Sequence, residues 1–323
     1  MEIKICTTNM LSTSEWQSYL LNFNSVFATN HNISYFKHKY NTVVDGHSYH
    51  ALLLNDNHDI VGGCSVMPYY YKKKSKEVKL GQAVDVFICE EYRTDPLMLK
   101  RMYSELKKIL TINGIISVIA VPNDTAYPYW KNIVKWKDIG DLSYWVLPLR
   151  LGNIIKKNKF LNIISLILIR IFLFINKVLS LIFNKRERKS VYEIKFDKIF
   201  INNRFIKDHI KVLQKDITFY FRLVKEDGVQ TAYLIYAKQN NRVSFKSLIK
   251  AVSYIIKNTD ADLILYVGPL KLFQTLFIKV PKKFEPKKLP LTCDILEEYN
   301  RVKYADMLEF KNWNFGLLNY DVR

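Results

Sequence analysis

Cysteine is scarce in this chain, and acid is scarcer than base. Four cysteines, Cys6, Cys64, Cys89 and Cys293, are scattered through 323 residues with no C-x-x-C pair. That excludes a disulfide framework or a zinc ribbon and points to a reducing compartment. No G-x-S-x-G, Walker loop or dinucleotide fingerprint occurs, so elbow hydrolases, P-loop enzymes and Rossmann dehydrogenases have no support. His47-x-x-His50, with His58 and Cys64 nearby, lacks metal-ligand spacing, and no metal is expected. The first residues lack the apolar run of a signal peptide, so a cytoplasmic location is expected.

Against 49 Lys and Arg stand only 30 Asp and Glu, a net charge of +19. The excess is local. Residues 150–189 carry ten basic residues and one acid, Glu187, which is nine of the nineteen charges. Inside that window Phe160–Phe183 reads FLNIISLILIRIFLFINKVLSLIF, long enough to cross a bilayer. At 100° per residue, Asn162, Ser165, Arg170, Asn176, Lys177 and Ser180 fall within an arc of about 140°, and most of the remainder is apolar. An amphipathic helix with a wide apolar face is expected. With basic flanks it suits an anionic membrane surface. The other placements are an interdomain helix with its polar arc toward water, and a transmembrane span, which the basic residues on both flanks disfavour.

The remaining chain repeats one grammar twice. Tyr49–Leu54 and Ile60–Tyr70 are apolar strands around a hairpin signal, and Lys79–Cys89 is a third strand. Pro96 to about Thr111 holds helical spacing, with Asp95 as cap and proline at the first helical position. Ile115–Val121 is a buried strand. Later, Phe219–Val224 and Thr231–Ala237 flank Glu226-Asp-Gly228, a hairpin turn. A helix from Phe245 to Ile256, a strand Asp262–Val267 and a helix opened by Gly268-Pro269 follow. Tyr69 to Lys76 mixes aromatics with lysines, as single-strand binders do, but reads as a strand running into a basic hairpin tip. A nucleic-acid partner is not expected.

The order strand, hairpin, strand, loop, helix, strand, with Val84–Arg93 delivering an arginine to a helix start, resembles the GNAT superfamily of acyl-CoA N-acyltransferases. In that superfamily the strand before the main helix splays from its neighbour. Its backbone pairs with the pantetheine arm, and an Arg/Gln-x-x-Gly-x-Gly/Ala loop wraps the pyrophosphate at the helix N-terminus. The resemblance implies that Phe87, Ile88 and Cys89 meet pantetheine and that Arg93, Thr94, Leu97 and Met98 form the phosphate loop. The loop departs from the family pattern: Pro96 and Met98 stand in the glycine positions, and Asp95 adds a negative charge. Pro96 has no N–H to offer a phosphate.

Downstream, Asn123-x-x-Ala126 matches the superfamily's Asn-x-x-Ala. Seven residues after the asparagine, where a tyrosine protonates the departing thiolate, stands Trp130, which the resemblance assigns to the cofactor site. Tyr127 and Tyr129 flank it as candidate acids. Asp85, inside the apolar strand, is the candidate general base, with Glu90 and Glu91 at the strand end as others.

The fold class expected is α/β, two GNAT-like lobes of mostly antiparallel sheets joined by the basic helix. The boundaries are 1–150 for the motif-bearing lobe, 151–190 for the linker and 191–323 for a degenerate lobe that shapes a site without binding a cofactor. Similar tandem proteins imply a bacterial N-acyltransferase peripheral to the membrane. It would move an acyl group from acetyl-CoA or another acyl-CoA to an amine on an amino-sugar or lipid-linked acceptor in surface-polysaccharide assembly. The alternatives are a non-catalytic membrane-docked scaffold and a FemAB-like transferase using another donor.

Overall fold

The computed structural model describes residues 1–156, 159–183, 190–205, 208–239, 244–270 and 276–320. Its strands are β1 (Glu2–Thr7), β2 (Tyr49–Leu54), β3 (Ile60–Lys73), β4 (Lys76–Ile88), β5 (Ser117–Ala120), β6 (Lys137–Asp141) and β7 (Tyr144–Pro148). They continue as β8 (Glu193–Ile194), β9 (Ile210–Gln214), β10 (Ile217–Glu226), β11 (Val229–Gln239), β12 (Leu263–Val267), β13 (Ile278–Lys279) and β14 (Pro290–Ile295). The helices are α1 (Thr13–Phe27), α2 (Ile33–Asn41), α3 (Met98–Ile112), α4 (Leu151–Ile154) and α5 (Phe160–Phe183). After them come α6 (Lys198–Arg204), α7 (Phe245–Asn258) and α8 (Glu298–Lys303).

Two compact units result. The first comprises Met1–Asp141, Ser190–Arg204 and Lys288–Trp313. The second comprises the described residues of Leu142–Lys189, Phe205–Lys287 and Asn314–Arg323. Cuts at 150 and 190 treat each lobe as continuous, whereas the chain passes between the units several times. The cause is strand exchange: β14 seats between β5 and β6 of the first sheet, and β7 joins the second sheet beside β12.

The first unit has an eight-stranded sheet in the order β1-β2-β3-β4-β5-β14-β6, with β8 on β3. Buried Met98, Met102, Leu106 and Leu110 give α3 the apolar face that the sequence spacing indicates, and it packs with Leu53, Val66 and Val118. The helix starts at Met98, two residues after the expected Pro96. Asp95 Oδ1 caps the Leu97 N–H at 2.8 Å, and the Asp95 carbonyl accepts from Met98, so a turn precedes the helix. Tyr19, Phe23, Phe36 and Phe87 form an aromatic cluster that joins α1 and α2 to β4.

The second unit has a six-stranded sheet, β13-β7-β12-β11-β10-β9. The β10–β11 hairpin turns at Asp227 and Gly228, both with positive φ, as the Asp-Gly pair indicates. The helix expected at Gly268-Pro269 falls largely at 271–275, outside the described residues. Parallel β11 and β12 pair only at Thr231–Tyr233 with Leu263–Leu265. A bulge leaves Ile235 without a partner opposite on β10. The gap that follows is filled by the chain itself: the Leu317 N–H donates to the Val267 carbonyl at 3.1 Å. Gly316 lies so close that a Cβ would sit 2.4 Å from the Val267 oxygen. Only about 20 Å³ remains open there.

α5 also belongs to this unit, with its apolar half outward, the reverse of the interdomain placement. The middle of its polar arc faces the protein, while Arg170 and Lys177 at the arc's edge are exposed. Ser165, Asn176 and Ser180 are buried. Ser165 Oγ donates to the Leu149 carbonyl at 2.8 Å, and Asn162 and Asn153 bond reciprocally. These groups satisfy backbone that α5 would otherwise desolvate, which is why the arc turns inward. Among the described residues, the opposite half carries eleven exposed large apolar side chains, including Ile163, Ile167, Ile171, Phe174, Ile175 and Val178.

Candidate active site

The site begins with a short ladder. β4 and β5 run parallel and pair only at Leu80–Gln82 with Ser117–Ile119, although β4 continues to Ile88. Beyond Gln82 the strands part. At the same point β4 bulges, because Asp85 and Val86 together stand opposite Cys64 between the pairs Val84–Ser65 and Phe87–Gly63. An extra residue bends a strand and increases its twist, which carries β4 away from β5. Asp85 has φ +52°, a left-handed conformation that aspartate tolerates better than most residues.

The carboxylate expected to act as base holds that bulge instead. Its side chain is only 6% exposed, with Lys39 Nζ 2.7 Å from Oδ2. Tyr40 Oη donates to the same oxygen at 2.7 Å, and Tyr19 and Tyr40 hydroxyls are 2.7 Å apart. Burial and the Asp85 charge raise the Tyr40 phenol well above its ordinary pKa. Behind Tyr40, the His50 ring nitrogens reach Ser65 Oγ at 2.8 Å and Thr8 Oγ1 at 2.9 Å. Burial lowers the His50 pKa to about 3. Asp85 is thus enclosed on the α1–α2 side of the sheet and does not line the cleft.

Where β4 and β5 separate, a cleft of about 400 Å³ opens. Val86, Phe87 and Ile88 form one wall, and Asn123, Thr125, Ala126 and Tyr129 the other. Val26 and Phe27 of α1 line it too, as do Arg93, Asp95, Pro96 and Leu99. Of the residues expected from sequence, Phe87, Ile88, Arg93, Asn123 and Tyr129 are therefore brought together.

The others lie elsewhere. The Cys89 N–H donates to the Val61 carbonyl, and its thiol is buried, with its pKa raised by that burial. Met98 belongs to the core, while Thr94 and Leu97 are exposed and do not line the cleft. Trp130 is buried against Tyr103 and Trp136. Tyr127 Oη donates to Asp138 at 2.8 Å and accepts from Lys131.

Asn123 shapes the second wall by accepting the Ala126 N–H on Oδ1 at 2.8 Å, while its carbonyl accepts from Tyr127. Tyr129 follows at the start of a π-helical turn, Tyr129–Val134, and is 42% exposed. It is the one tyrosine among the described cleft residues. At the other end Arg93 Nε donates to the Ile88 carbonyl at 2.7 Å, so the arginine braces the end of β4. Asp95 spends its charge on Arg101 and on the Leu97 N–H. The Leu99 and Lys100 amides remain as first-turn donors beyond that internal cap.

Val26, Phe27 and Leu99 carry no motif, and their place at the cleft depends on packing across the sheet. Among the described residues no cluster of three or more His, Cys, Asp or Glu could hold a metal.

No family model matches the sequence, and no curated protein matches it significantly. Solved structures do resemble the chain. A GCN5-related N-acetyltransferase from Kribbella flavida matches with TM-score 0.60 at 9% identity, over 93% of this chain and 74% of that one. Its counterpart from Anabaena variabilis matches with TM-score 0.59 at 12% identity, over 92% and 74%. Saccharomyces cerevisiae N-myristoyltransferase, a structure with bound myristoyl-CoA, matches with TM-score 0.53 at 12% identity, over 91% and 79%.

Proposed function

Because the chain has the fold of the GNAT N-acyltransferases, we propose that it transfers an acyl group from an acyl-CoA thioester to an amine. The observation that carries this reading is the parting of β4 and β5 after Gln82 and Ile119, with an open cleft in the gap. The equivalent gap in the second unit is plugged by its own chain. A strand edge released from its neighbour offers backbone groups to an extended amide-bearing ligand, and pantetheine is one.

Val86, Phe87 and Ile88 flank the pantetheine arm. Arg93 and the Leu99 and Lys100 amides meet the pyrophosphate. The acceptor nitrogen attacks the thioester carbonyl, the carbon–sulfur bond breaks, and Tyr129 gives its proton to the departing thiolate. The amine's surplus proton passes to water at the open mouth, and water there returns a proton to Tyr129.

The acceptor is an amine on a sugar or lipid-linked molecule of surface-polysaccharide assembly, met by a protein peripheral to an anionic membrane. The exposed apolar half of α5 and its basic lead-in, Lys156 and Lys159, support this part. A scaffold that binds no acyl-CoA is the second reading. It draws on Asp95, whose occupation of the Leu97 amide and Arg101 withdraws both from a phosphate.

Calorimetry with acetyl-CoA and longer acyl-CoAs separates the two. Saturable binding, weakened about tenfold by Arg93→Ala, supports the transferase; a hydrogen bond to a charged group is worth about this much. No binding at millimolar ligand leaves the scaffold.

A further inference from the structure

α7 places Lys250, Ser253, Tyr254 and Lys257 on one face, since these positions recur at helical spacing. With Lys177 of α5 and Gln214 of β9 they line an open cleft of about 490 Å³. No carboxylate lines this cleft. None of the three lysines makes an ion pair among the described residues. The Ser253 hydroxyl oxygen is buried and has no hydrogen-bond partner. Three like charges around an unpartnered buried hydroxyl form an arrangement that an anion stabilises.

The position of Lys177 supplies the second half of the argument. It stands at the edge of the exposed apolar half of α5, two turns from Arg170 on the same edge. A helix lying with that half in the acyl region holds its edge at the depth of the headgroups.

We propose that this cleft is a binding site for the phosphate of an anionic membrane phospholipid, whose acyl chains lie along the outward face of α5. Lys177, Lys250 and Lys257 pair with the phosphate, and Ser253, on turning its hydroxyl outward, donates to one of its oxygens. The inference rests on the peripheral-membrane part of the proposed function and adds a defined lipid site to it.

Two measurements separate the site from the docking. The first is calorimetry with monomeric dihexanoyl phosphatidylglycerol, which needs no bilayer. Saturable binding that falls tenfold or more in Lys250→Gln/Lys257→Gln, and is unchanged in Lys283→Gln/Lys311→Gln, supports the site. Equal binding in both variants overturns it. Inorganic phosphate binding as tightly as the lipid overturns its assignment to a lipid.

The second is sedimentation with phosphatidylcholine vesicles made with and without phosphatidylglycerol. The intact protein is expected to pellet with the anionic vesicles, and Lys250→Gln/Lys257→Gln to pellet less than the lysine control. Failure of the intact protein to pellet overturns the docking. The apolar face is then a contact between copies of the chain, read as a concentration-dependent dimer in ultracentrifugation.

Discussion

Lys39 Nζ lies 2.7 Å from Asp85 Oδ2 at the single left-handed position of β4. The pair ties α2 to the bulge from which β4 leaves β5, so the mouth of the cleft depends on a contact on the far side of the sheet. Asp85→Ala removes one partner of a buried pair and is expected to destabilise the fold by about 3–5 kcal/mol. Asp85→Asn keeps an acceptor for Tyr40 and is expected to fold and retain acyl transfer within about tenfold. A general base would lose several orders of magnitude on the same change. Denaturant titration of Asp85→Ala and steady-state kinetics of Asp85→Asn check the two halves.

Tyr129 and Tyr127 make a second contrast. Only Tyr129 lines the cleft, and Tyr127 is held by Asp138 and Lys131. Tyr129→Phe is expected to lower kcat by about 10²-fold with donor affinity unchanged, the range for loss of a positioned acid. Tyr127→Phe is expected to change kcat less than threefold. Parallel kcat and KM measurements on both variants distinguish a proton donor from a packing aromatic.

His50 gives the stability a pH dependence. Its folded pKa is about 3, below the unfolded value of 6.5, so the unfolded chain binds the extra proton between these limits. Stability therefore falls as pH drops below 6.5, by about 1.4 kcal/mol per pH unit, and the loss saturates near the folded pKa. Urea titrations between pH 7 and 5 are expected to show this slope. His50→Phe, whose unfolded state gains no proton at this position, is expected to lose most of this slope and to be less stable throughout.

Thiol chemistry follows from burial. Cys6, Cys64 and Cys293 are buried, and burial pushes each thiol up to about 12. Cys89 is raised in the same direction. Alkylation by iodoacetamide at neutral pH is expected to modify none of the four before the protein unfolds. Mass spectrometry of the labelled native chain reads the result.

Local chemistry made much of this molecule legible before its structure. The Asp227-Gly228 turn, the amphipathic α7 helix and the apolar strands around Ile60 and Ile119 announce themselves through turn residues and periodicity. Contacts between distant segments left no such mark. Nothing near Pro290–Ile295 says that it will sit between β5 and β6, and nothing at Val26 or Phe27 says that they will line a cleft. The inward turn of the α5 polar arc was hidden for the same reason, because its partners are backbone groups at 149–153. At the site, family spacing led to Trp130, whereas packing against Tyr103 and Trp136 draws that ring into the core and leaves Tyr129 at the cleft. Asp85 read as a charge in an apolar strand, and only its left-handed backbone and the Lys39 contact reveal a clamp.

The central claim is that the cleft between β4 and β5 receives the acyl-CoA while the matching gap in the second unit does not. Amide hydrogen exchange with and without saturating acyl-CoA tests it residue by residue. The account predicts slower exchange over 84–88 and 123–129, with 234–239 and 264–267 unchanged. Protection confined to the second unit, or none in either, would contradict it.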